Sequence, residues 1–124
     1  MTKRVLVIDD HEDFLEILAI IFRERGYEIV VSTTGKTAGH ISQIHPDIVL
    51  LDVRISGSAK GGAEICREIK SQQDTRHLPV LLISGETDLD LIAQECGANA
   101  FLTKPFDVSD LLATVEACFI PGLL

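Results

Sequence analysis

Short apolar runs alternate with longer amphipathic stretches five times along the chain, and this alternation leaves few folds open. Arg4 to Ile8 reads as a buried strand, and Glu12 to Arg25 follows with Phe14, Leu15, Leu18, Ile21 and Phe22 at helical spacing. Gly26 stops that helix. Tyr27 to Val31 is a second strand and Lys36 to Ile44 a weaker helix. Ile48 to Leu51 is the third strand, and a glycine-rich loop from Val53 to Gly62 leads into a helix over Ala63 to Ser71. Val80 to Ile83, Asp88 to Cys96, Ala100 to Leu102 and Asp107 to Cys118 complete the series. Five βα units imply a parallel sheet covered by helices on both faces. Right-handed crossovers then restrict the topology further.

Open parallel sheets bind ligands beyond the carboxyl ends of their strands. The residues at those ends are Asp9 and Asp10 after the first strand, Asp52 after the third, Ser84 after the fourth, and Thr103, Lys104 and Pro105 after the fifth. Taken singly, each has an ordinary reading. Asp9 and Asp10 suit a helix N-cap with first-turn acids, Asp52 and Ser84-Gly85 suit turns, and Lys104-Pro105 suits a loop with a solvated lysine. Together they place carboxylates, a hydroxyl and an ammonium in one small site. Crowded carboxylates repel one another and call for a proton or a hard cation, and Mg²⁺ prefers carboxylate and phosphate oxygens. With a lysine and a hydroxyl donor added, the set has the parts that stabilise a transferring phosphoryl group. One carboxylate can itself be the nucleophile.

Charge and composition narrow the class. The net charge is −8 over 124 residues, which argues against sequence-independent binding to a phosphate backbone or to an anionic membrane surface. A hydrophobic fraction of 46% is enough for a core without a disulfide or structural metal. Cys66, Cys96 and Cys118 each lie in an apolar helical pattern and are expected to be buried, reduced thiols. The N-terminal MTKRVLVIDD does not resemble a signal peptide, and no apolar run is long enough for a membrane helix. A cytoplasmic protein is the expectation.

The segments VLVIDDHEDF, DIVLLDVR, PVLLISG and AFLTKPF resemble the receiver domain of two-component response regulators over nearly the whole chain. The resemblance implies a flavodoxin-like α/β fold with strand order 2-1-3-4-5 and five helices. It implies that Asp52 is the phosphoacceptor, that Asp9 and Asp10 hold Mg²⁺ (or Mn²⁺) with Asp52 and the backbone carbonyl of Arg54, and that Ser84 and Lys104 contact the phosphoryl group. It further implies a cis peptide at Lys104-Pro105, an aromatic switch at Phe101 coupled to Ser84, and lifetime tuning by Arg54 and Glu86. The implied donor is a sensor histidine kinase or a histidine phosphotransfer protein, and the implied output is a partner protein or domain. Residues 1–119 are expected to form the receiver, with 120–124 a tail or linker. The last helix carries no Lys or Arg, so a monomer or a weak dimer through another face is expected.

Two departures from the family pattern fall in one loop. Ser56 stands where a proline is common, and SGSAKGG is about two residues longer than usual. With three glycines, the stretch 56–62 is expected to be mobile. A flavin-binding flavodoxin is a poorer reading, because Asp-Asp-His-Glu-Asp after the first strand would repel phosphate where such a protein needs a phosphate cradle. A degenerate receiver would have lost one of the acids or the lysine, and an aspartyl-phosphate phosphatase would want a D-x-D pattern after the first strand.

Overall fold

The computed structural model describes residues 2–34, 39–55 and 61–120. Strands β1 (Arg4–Ile8), β2 (Glu28–Ser32), β3 (Ile48–Asp52), β4 (Val80–Ser84) and β5 (Ala100–Thr103) form one parallel sheet in the order β2-β1-β3-β4-β5. Helices α1 (Glu12–Glu24), α2 (Ile41–Ile44), α3 (Gly62–Ser71), α4 (Leu89–Cys96) and α5 (Val108–Cys118) connect and follow them. This is the expected flavodoxin-like arrangement.

The unbroken apolar runs serve two cores at once. Successive side chains of a strand point to opposite faces, so Leu6, Ile8, Val49, Leu51, Val80 and Leu82 pack toward α3 and α4. Val5, Val7, Ile48, Leu50, Leu81 and Ile83 pack toward α1 and α5. β3 and β4 are buried along their whole length. Burying one such side chain contributes about 1.5–3 kcal/mol, so the central strands are firm mounts for the residues at their ends.

Several expectations shift locally. The helix expected over Lys36 to Ile44 survives in the described residues as the four-residue α2, while 35–38 lie outside them. α2 ends at His45, which takes a left-handed conformation with φ 56°. Its run holds one buried apolar residue, Ile41, too little to extend a helix by packing. Gly26 does end α1, with φ 83°. Cys66 and Cys96 are buried as free thiols, but Cys118 is only partly buried, because α5 ends there beside a half-covered Phe119. The peptide Lys104-Pro105 is cis. Among the described residues no helix is long and apolar enough to cross a membrane.

Candidate functional site

Parallel registry brings the strand ends to one edge. Ile8 is opposite Leu51, Asp52 opposite Ile83, and Ser84 opposite Thr103. A cleft of about 320 Å³ opens there, lined by Asp10, His11, Asp52, Arg54, Ser84, Gly85, Glu86 and Lys104. Asp9 lies next to it and is 1% exposed. The acids, the serine and the lysine named from sequence are therefore brought together. The N-cap reading of the acidic pair fails, since the N-cap of α1 is His11 and its side chain makes no capping hydrogen bond.

The two buried acids differ in how firmly they are held. Asp9 Oδ1 accepts the His11 backbone N–H at 2.9 Å and lies 2.9 Å from His11 Nδ1. Its Oδ2 accepts from Lys104 Nζ at 3.0 Å. Asp52 has looser company. Its Oδ1 accepts the Arg54 N–H at 3.3 Å, and its Oδ2 lies 3.6 Å from Lys104 Nζ and 4.0 Å from His11 Nδ1. Burial, and then the charge of Asp9, push the Asp52 carboxyl above its ordinary range, against the pull of Lys104.

Around them, Ser84 is buried, and its hydroxyl oxygen accepts the Glu86 backbone N–H at 3.3 Å. Arg54 and Glu86 meet as an ion pair at the mouth of the cleft, with the arginine side chain 82% exposed. Phe101 stands on β5 outside the lining of the cleft, and the residue is 43% exposed.

Three further residues shape the site without having been singled out in sequence. His11 Nδ1 is 3.2 Å from Asp10 Oδ1 as well as close to Asp9, and these carboxylates hold its imidazole above its usual range, the Asp9 hydrogen bond first. Phe14, one residue of the α1 apolar stripe, presents its ring 4.4 Å below Lys104 Nζ and meets Phe106 edge-on at 6.0 Å. Gly62 opens α3 directly against the end of β3. A Cβ there would sit 2.1 Å from the Asp52 carbonyl oxygen and 2.8 Å from its carbon. The expected loop thus ends earlier: Gly62 is a buried helical residue with a steric task. Of the stretch 56–62 expected to be mobile, residues 56–60, Ser56 included, lie outside the described residues.

Donor atoms of Asp9, Asp10, His11 and Asp52 all lie within 4.8 Å of one another. With Lys104 as the neighbouring ammonium, this carboxylate-rich pocket is compatible with Mg²⁺.

Residues 5–116 match the response regulator receiver domain family, and the chain belongs to it. The receiver domain of NtrX from Brucella abortus is 32% identical, with a TM-score of 0.83 over 92% of this chain and 96% of that one. Against a longer NtrX chain the likeness is 31% identical and covers 27% of that chain. The signal receiver domain of a signal transduction histidine kinase from Syntrophus aciditrophicus is 29% identical, with a TM-score of 0.85 over 94% and 89% of the two chains. A provisionally assigned response regulator of Chloroflexus aurantiacus J-10-fl is 28% identical, with a TM-score of 0.87 over 95% and 98%. The chain is thus a response regulator receiver domain of a two-component system.

Proposed function

We propose that the Asp52 carboxylate accepts a phosphoryl group from a phosphohistidine on a sensor histidine kinase or histidine phosphotransfer protein. The observation that carries this is the contrast between the buried acids. Asp9 has short contacts to His11 and Lys104, whereas Asp52 is also buried but has no side-chain contact shorter than 3.6 Å among the described residues. Asp52 is therefore the acid with an oxygen to offer. That oxygen attacks phosphorus, the P–N bond breaks as the P–O bond forms, and the electron pair leaves with the donor imidazole.

Lys104, 3.6 Å from Asp52 Oδ2, faces the charge of the incoming group. Ser84 turns its hydroxyl from the Glu86 amide toward a phosphoryl oxygen, a hydrogen bond of 3.3 Å being weak enough to exchange. The vacated space beside Ser84 favours inward rotation of Phe101, which now stands outward. Asp9, Asp10 and Asp52, with the Arg54 backbone carbonyl, would hold Mg²⁺ or Mn²⁺, which supplies charge neutralisation for the acids and for the phosphoryl oxygens. The Arg54–Glu86 pair partly covers the cleft and slows entry of the water that removes the phosphoryl group.

This reading makes residues 1–119 a self-contained receiver in a cytoplasmic relay. α5 carries no Lys or Arg, so its acids would repel those of a second copy, and a monomer or weak dimer through another face follows. Intact-mass measurement after treatment with acetyl phosphate and Mg²⁺ tests the transfer. One phosphoryl group is expected on the wild type and none on Asp52→Ala. Undiminished labelling of Asp52→Ala would overturn the assignment.

A further inference from the structure

The geometry points to His11 as a ligand in the cation site, giving that site a nitrogen donor and a preference for a first-row transition-metal ion such as Co²⁺, Ni²⁺ or Zn²⁺ over Mg²⁺. This rests on the reading of Asp9, Asp10 and Asp52 as the acids of a cation site.

Nδ1 is the atom that carries the argument. It lies 2.9 Å from Asp9 Oδ1, 3.2 Å from Asp10 Oδ1 and 4.0 Å from Asp52 Oδ2, so one nitrogen touches or faces all three carboxylates. With it the donor set becomes three carboxylate oxygens and one imidazole nitrogen, all within 4.8 Å of one another. Two donors on a single ion of this size stand at most about 4.2 Å apart, so side-chain adjustments of a few tenths of an ångström close the set. The ring is not tethered to the protein core: its side chain is 66% exposed. It can make that adjustment without repacking.

The chemistry follows from the donor. Mg²⁺ takes oxygen ligands, keeps its waters and gains little from an imidazole. Imidazole suits Zn²⁺, Ni²⁺ and their neighbours, whose affinities for mixed nitrogen and oxygen sites rise along the first row. Three carboxylates alone offer only oxygen donors, which suit Mg²⁺ and Mn²⁺. With His11 the site discriminates through one side chain that no other part of the phosphoryl chemistry uses. The competing account makes His11 only an exposed side chain ion-paired with Asp9 and Asp10. In that account Nδ1 never meets a metal.

Calorimetric titration of the untagged chain with Mg²⁺ and with Co²⁺, on the wild type, His11→Ala and Asp10→Asn, separates the accounts. The wild type is expected to bind Co²⁺ at least about 10-fold more tightly than Mg²⁺. His11→Ala should lose about 10-fold or more of the Co²⁺ affinity and change the Mg²⁺ affinity by less than about threefold. Mn²⁺-loaded wild type should show imidazole nitrogen modulation in its electron spin echo, and His11→Ala should lack it. Equal Co²⁺ affinity and an unchanged echo in His11→Ala would overturn the proposal while leaving the acidic site standing. Failure of the wild type to bind either ion, or binding indifferent to Asp10→Asn, would overturn the cation-site reading itself.

Discussion

Strand β3 carries an aspartate at each end, and the two are used in opposite ways. Asp47, just before the strand, is spent on the backbone. Its Oδ2 accepts the Arg4 N–H at 2.7 Å, and its own N–H donates to the Arg4 carbonyl at 2.7 Å. The neighbouring strand entry is closed in the same way, with Asn99 Oδ1 accepting from the Val80 N–H at 3.0 Å and the Asn99 N–H donating to the Val80 carbonyl at 2.9 Å. Asp52, at the other end, is 6% exposed, and its nearest donor among the described residues is an amide at 3.3 Å. One end of the sheet therefore pairs its polar side chains with donors for stability. The other gathers three acids around one lysine and one histidine. Fold and function are separated along the length of a single strand.

Exchanging the two aspartates tests that separation most severely. Asp52→Ala should abolish labelling by acetyl phosphate, whereas Asp47→Ala should be labelled like the wild type. The stability effects should have opposite signs. Asp47→Ala leaves a partly buried amide without its partner and should cost about 1–2 kcal/mol. Asp52→Asn removes a carboxylate that burial and Asp9 disfavour, and should raise the thermal midpoint of the metal-free protein by several degrees, on the order of 1 kcal/mol. Mass spectrometry and calorimetric melting read both. If Asp47→Ala loses labelling, or both variants melt lower, the two ends are not distinct.

A second test addresses how the functional end is shaped. Gly62→Ala would force a methyl against the Asp52 carbonyl, where the distance is 2.1 Å. It should destabilise by about 1–3 kcal/mol and slow labelling by acetyl phosphate, because the end of β3 that carries Asp52 must shift. Gly85→Ala is the control, since a Cβ there meets nothing within 4 Å. Similar melting and labelling for the two variants would dispose of the steric argument.

The smallest effect concerns the mouth of the cleft. Arg54→Ala and Glu86→Ala should each hasten loss of the phosphoryl group, with the double variant adding little. An exposed pair is worth at most about 1 kcal/mol, so roughly fivefold is the ceiling. A double-mutant cycle on the dephosphorylation rate, repeated at high salt, reads the coupling. Additive effects would mean that the two side chains act separately.

What was legible in the sequence was whatever repeats or packs. The runs VLVI, IVLL and VLLI announce strands buried on both faces, and the chemistry at their ends follows from parallel topology. α2 was harder to read, because a helix of four residues with one buried side chain has almost no periodicity. The contact of His11 with the acids is hard to read from sequence because it depends on the backbone turning at Asp9, which returns the ring to them; the adjacent Asp-Asp-His is its one sequence signal. Phe14 was legible as core but not as a support for Lys104, a contact between residues 90 positions apart (104 − 14). A glycine run suggests backbone freedom, whereas Gly62 matters for its lack of a side chain against Asp52.

The sheet also sorts its residues by how they open. β3 and β4 lie inside the sheet with every side chain covered, so their amide protons should exchange with deuterium only when the whole domain unfolds. β5 is an edge strand of four residues whose side chains alternate between half-covered and exposed, and it carries Phe101. Its amides should exchange through local opening, orders of magnitude sooner. Asp52, the proposed acceptor, is thus mounted where the backbone is hardest to disturb, and Phe101, the proposed switch, where it is easiest. A phosphoryl group on Asp52 can then bias the edge without loosening the interior.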